Sequence, residues 1–121
     1  MEYQSVTTIS SKSFEGVSFT IARMSFGRRS ELMRRIREVA GKVEFLEAGS
    51  DPREKIEATL LASEIDRQYI LWGLVKIEGL DIDGQAATPE LLISAGPEPL
   101  CREILAAIKG ELGLSEDERK N

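Results

Sequence analysis

The sequence predicts a single α+β domain over residues 1–121, with a small antiparallel sheet packed against a long helical hairpin and a C-terminal helix. Three observations carry that expectation. Apolar and polar residues alternate at about 5–23 and again at about 75–87, the period of half-buried strands. Between them Leu32, Ile36, Val39, Val43 and Leu46 recur at steps of four and three, which places them on one stripe of a helix. The chain has 121 residues, 41% hydrophobic and 31% charged, so it can bury roughly two-thirds of its unfolded surface around one core. No repeat, low-complexity tract or linker divides it.

Taken in order, Val6 and Thr8, then Val17, Phe19 and Ile21, alternate with polar neighbours, and Ser13-Phe14-Glu15-Gly16 supplies a turn. An antiparallel pairing of 5–10 with 17–23 follows. The helix of the apolar stripe spans about 28–48. Gly49 ends it, and Asp51-Pro52-Arg53-Glu54 then offers an N-cap acid, proline at N1 and glutamate at N3, so a second helix runs over about 52–72. Its apolar face is Ala58, Leu61, Ala62, Ile65, Tyr69 and Trp72, with Ile56, Leu60 and Leu71 as a flank, and this predicts a central, well-wrapped helix. The short Gly49-Ser50 joint makes the pair an antiparallel hairpin. Val75 and Ile77, then Leu80 and Ile82, alternate again, and Asp83-Gly84 signals a hairpin turn within about 75–87 that adds to the same sheet. Thr88-Pro89 caps a short helix at about 89–95. Leu100, Ile104, Ile108 and Leu112 lie at steps of four on a last helix over about 97–112, ahead of a charged tail at 113–121 with a capping-box pattern from Ser115 to Glu118.

Charge and composition narrow the function. Sixteen Lys and Arg against 21 Asp and Glu give a formal net charge of −5, which disfavours general attraction to nucleic acid or anionic lipid. With no histidine and one cysteine, Ser-His-Asp, Cys-His and Cys/His zinc constellations are excluded, and so is an internal disulfide. The longest apolar run, around Tyr69–Val75, is too short to span a bilayer. The opening Met1-Glu2-Tyr3-Gln4-Ser5 lacks a basic n-region and an apolar h-region, so the chain reads as an intracellular product.

The remaining constellations have plain structural readings. Arg28, Arg29, Arg34, Arg35 and Arg37 give the segment 28–38 a net +3 while the rest nets −8, but these arginines spread around the helix. Glu31 with Arg35 and Arg34 with Glu38 read as solvated helix pairs, each worth about 0.2–0.5 kcal/mol. Asp81-Ile82-Asp83-Gly84 begins like an EF-hand loop, yet Ala86 and Leu92 stand where the loop needs glycine and glutamate. Glu57, Glu64 and Asp66 lack a histidine or metal cluster to work with, Cys101 sits on an apolar helix side as a structural thiol, and no nucleotide-binding glycine motif occurs. The expectation is therefore a non-enzyme with no cofactor and no metal.

The stretches Gly16–Phe26, Gly79–Gly84 ahead of Ala87–Leu92, and Gly113–Asn121 resemble small tail assembly chaperones of tailed phages and prophages. The resemblance implies a non-catalytic helper in the bacterial cytoplasm that keeps the long tape measure protein soluble, and that recruits tail tube subunits before the tail polymerises. A groove beside the first two helices is then the expected partner site, lined by Leu32, Ile36, Leu61, Tyr69 and Trp72 with Arg34 and Arg37 beside it. The alternative is a structural tail or tail-completion component, a homo-oligomer whose N-terminal strands pair between subunits. A third reading, a DNA-binding regulator, requires binding that weakens steeply with salt.

Overall fold

Strands form where the β-branched residues gather. In a computed structural model, which describes residues 1–113, β1 (Val6–Ser10) pairs antiparallel with β2 (Ser18–Ala22), and β2 pairs antiparallel with β3 (Leu74–Glu78). The sheet order is β1-β2-β3, so the central strand reaches its second neighbour only after two intervening helices. Gly16, at φ +79°, turns the chain between β1 and β2, and Gly79, at φ +83°, brings the end of β3 against the Gly16 carbonyl.

The alternation in β1 has the opposite phase from the expected one. Pairing sets Ile9 against Phe19 and Thr7 against Ile21, so Ile9 and Thr7 share the core face while Val6 and Thr8 lie on the outer face. On that outer face the Thr8 and Thr20 hydroxyls are hydrogen-bonded at 2.8 Å. In β3 a register irregularity opposite Thr20 and Ile21 turns Leu74 and Ile77 inward and leaves Val75 exposed, which strict alternation would not give.

The Asp83-Gly84 turn forms, with both residues at positive φ as a two-residue hairpin of this hand requires. It closes a separate two-stranded ribbon, β4 (Asp81–Ile82) with β5 (Gln85–Ala86), rather than extending the main sheet. The expected 75–87 hairpin is thus two units, because β3 is drawn to β2 by the burial of Leu74 and Ile77.

The helices follow their caps. Ser25 accepts a hydrogen bond from the Arg28 N–H and starts α1 (Phe26–Glu47) two residues earlier than the apolar stripe indicates. Asp51 caps α2 (Pro52–Gly73) by accepting from the Arg53 N–H, with Pro52 in the first turn. Thr88 caps α3 (Pro89–Ala95), and α4 (Glu98–Glu111) begins after Pro97. The tail read at 113–121 lies outside the described residues from 114 onward.

The core sits between the inner sheet face and the helices. Phe19, Ile21, Leu32, Leu92, Leu100, Ile104 and Ile108 have almost no exposure, and each such side chain contributes about 1.5–3 kcal/mol of burial. Arg102 lies beside Asp66 and Ile108 beside Gly73, so α4 runs parallel to α2 along that helix's second half. A Cβ on Gly73 would lie 2.9 Å from the Ile108 side chain, so glycine permits a close approach of the two helices here.

Candidate protein-interaction surface

Only the root of the helical hairpin is inside the core. In α1 the buried residues are Leu32 and Ile36, and farther along the same stripe Val39, Val43 and Leu46 are half-buried. α1 and α2 pack along each other, and on the facing helix Ala58 is buried while Leu61, Ala62 and Ile65 are half-buried. The distal half of the hairpin is an arm.

The expected groove lining resolves into two sets. Leu32, Ile36, Tyr69 and Trp72 are buried, and Leu61 is half-buried. The groove beside the first two helices is therefore filled by the protein's own side chains, and those residues do not line an open site. Arg34 and Arg37 are exposed on the arm. Glu38 pairs with Lys42 at 3.4 Å rather than with Arg34, whose Nε donates to the Ser30 carbonyl at 3.4 Å.

The exposed apolar residues lie elsewhere; α2 is wrapped more completely than α1, as expected, but its flank is open at Ile56 and Leu60. Phe45 is 77% exposed, Ile56 65%, Leu60 61% and Met33 39%. Ile56 and Leu60 are one turn apart on the side of α2 opposite Ala58 and Ile65. They are uncovered because α4, running parallel, begins only beside Ser63 and Arg67. Spacing did put Ile56 and Leu60 together; the missing information was where α4 starts.

Past Leu60 the same side of α2 leads into a cleft of about 310 Å³ between α2, α3 and α4. Ile70, Ile93 and Leu105 give it apolar walls, and Asp66, Arg67 and Arg102 stand at its rim. Asp66 sits 3.5 Å from Lys109 and 3.9 Å from Arg102, an ion-pair set that ties α2 to α4. Cys101 borders the cleft with its thiol directed to the Leu92 carbonyl at 3.6 Å; burial, aided by nearby Glu98, pushes that thiol up from its ordinary pKa. A high thiol pKa suits a structural group and works against a nucleophile at neutral pH.

Two of the five clustered arginines have a role that spacing did not reveal. Arg28 donates to the Trp72 carbonyl at 3.0 Å and stacks 4.4 Å from the Trp72 ring centroid, while Arg29 donates to the Leu112 carbonyl at 3.1 Å. Both carbonyls belong to helix C-terminal turns, where cations complement the dipole and orphan acceptors need donors. The start of α1 thereby fastens the ends of α2 and α4. The stacking leaves Arg28 Nε and Trp72 Nε1 buried without hydrogen-bond partners, which subtracts from the gain.

Glu103 of α4 makes a corresponding tie to the β1–β2 loop. Its carboxylate accepts from the Ser11 hydroxyl and the Lys12 N–H, both at 2.7 Å. Burial pushes the Glu103 carboxyl up, but the donors at Lys12, Ser11 and Ser13 together outweigh it and hold the group below its ordinary pKa. Among the described residues, no three acidic or sulfur side chains cluster to hold a metal, and no helix is long and apolar enough to cross a membrane. Comparisons with protein-family models, curated proteins and solved structures gave no match to this chain.

Proposed function

We propose that this protein is a non-catalytic assembly helper that covers an apolar helical surface of another protein. In the reading implied by its resemblance to phage tail chaperones, the partner is a tape measure protein held soluble in the host cytoplasm. The observation that carries the proposal is the arm with its uncovered Ile56 and Leu60, leading into the cleft between α2 and α4. An amphipathic helix laid along α2 would continue the line of α4 and supply the third helix that the arm lacks. Its apolar positions would meet Ile56, Leu60 and the cleft walls, and its polar positions would meet Arg67 and Arg102.

The test is co-expression with a phage tape measure protein, the long helical partner that the reading requires. Wild type should keep that partner soluble and co-purify with it, and the double substitution Ile56→Glu, Leu60→Glu should release it while the chain stays folded. A tape measure protein equally soluble without the chain would overturn the proposal. Retention of the chain in finished tails as a ring of fixed size would favour the structural-component alternative.

A further inference from the structure

We infer that β1 is a self-pairing edge through which a second copy of this chain adds to the sheet, giving a two-fold dimer with β1 antiparallel to its counterpart. Among the described residues no strand pairs with the outer edge of β1. The hydrogen bonds from the Arg23 N–H to the Ser5 carbonyl and from the Ser11 N–H to the Val17 carbonyl, each 2.8 Å, fix which residues face β2. In an antiparallel ladder that direction alternates, so Thr7 and Ile9 also turn their backbone groups toward β2. Val6, Thr8 and Ser10 therefore direct their N–H and C=O groups to the free side.

Nothing guards that side. Between Glu2 and Lys12, over residues 3–11, there is no charged side chain and no proline, and the β1–β2 register runs without a bulge. The opposite edge differs in both respects: β3 carries Lys76 and Glu78, paired at 3.0 Å, and has the irregularity at its start. The tie from Glu103 to Ser11 and Lys12 also holds the β1–β2 loop against α4.

The occupant follows from the distribution of charge. Glu2 lies ahead of the strand and Lys12 behind it, so an antiparallel copy brings unlike charges toward each other at both ends, whereas a parallel copy would align like with like. With the two-fold axis at Thr8, the strands overlap along their full length. Thr8 meets Thr8 of the second copy, Val6 meets its Ser10, and the free backbone groups of these residues are satisfied reciprocally. The outer-face threonine row, already bonded from Thr20 to Thr8, continues into the second copy. On the inner face a cavity of about 330 Å³ opens beside Ile9, Phe19, Ala106 and Ala107, next to the position that Thr7 of the second copy takes. Strand addition of this kind draws affinity from the backbone and selectivity from such flanking pockets.

Sedimentation of the full chain tests the inference. Wild type should pass from the 13.4 kDa monomer to twice that mass as concentration rises. Thr8→Lys should weaken dimerisation at least about tenfold, because two lysines then stand directly opposite, while circular dichroism shows the fold retained. Val6→Lys should weaken it as well, and adding Ser10→Glu should restore it by pairing each lysine with a glutamate of the second copy. Should Thr8→Lys fail to fold, the Val6 and Ser10 pair decides. Wild type that stays monomeric at its highest soluble concentration overturns the inference, as does a dimer that survives the lysine substitutions or is not rescued by Ser10→Glu.

Discussion

The two halves of the helical hairpin are built from the same repeat and do different things. At the root, Leu32, Ile36, Tyr69 and Trp72 enter a core closed by the sheet, α3 and α4. In the arm, the same heptad spacing continues through Val39, Val43 and Leu46 and leaves each of them half-buried. A periodic stripe thus states which side of a helix is apolar, and the presence of a third element decides whether that side is sealed. Stability should concentrate at the root, and the proposed recognition falls to the arm.

The sharpest way to break this comparison is to truncate matched side chains in the two halves. Leu32→Ala at the root, at a residue with no exposure, should cost about 2–5 kcal/mol in urea unfolding, whereas Leu60→Ala in the arm should stay within about 0.5 kcal/mol. Equal losses would show the arm to be covered. Next in size is Gly79→Ala, which forces a side chain to φ +83° and into the Gly16 carbonyl; it should cost at least about 1–3 kcal/mol by the same assay. Replacing Arg28 with Met, which keeps much of the stem but loses the bond to the Trp72 carbonyl and the stacking, should cost about 1–2 kcal/mol.

The smallest effect sharpens the picture through pH. Because the folded Glu103 carboxyl ionises at lower pH than its unfolded counterpart, its contribution is complete above about pH 4.3 and is lost as acidification carries the pH down through the folded value. Glu103→Gln should lower the urea midpoint slightly at pH 7, and the gap to wild type should close in acid. A gap that widened on acidification would mean that the carboxylate opposes the fold.

Much of this architecture was readable from residues whose effect is local. Asp51-Pro52, Thr88-Pro89 and Asp83-Gly84 act through their own backbone, and each marks a real boundary. The phase of β1 was hidden because Val6, Thr7, Thr8 and Ile9 are all acceptable on either face, and only pairing with β2 chooses. The destination of β3 was hidden for a related reason: its partner lies more than fifty residues earlier, and spacing carries no information about that. The proposed interaction surface was legible as a list of apolar residues on α2, including Ile56 and Leu60, but their exposure depends on the starting point of another helix. Arg28 and Arg29 looked like members of a charge cluster because their acceptors are backbone carbonyls, which have no signature in a sequence.

The arm also leaves and rejoins the sheet at a single place, since the chain departs from β2 just after Ala22 and returns at Leu74, the residue paired with Ile21. Its length is consequently decoupled from everything below it. Removing seven residues from each helix, two turns apiece, would bring the tip closer while preserving the facing of every remaining side chain. The reach of the molecule is in this sense a free parameter, adjustable in steps of about 10 Å without redesigning the sheet that supports it.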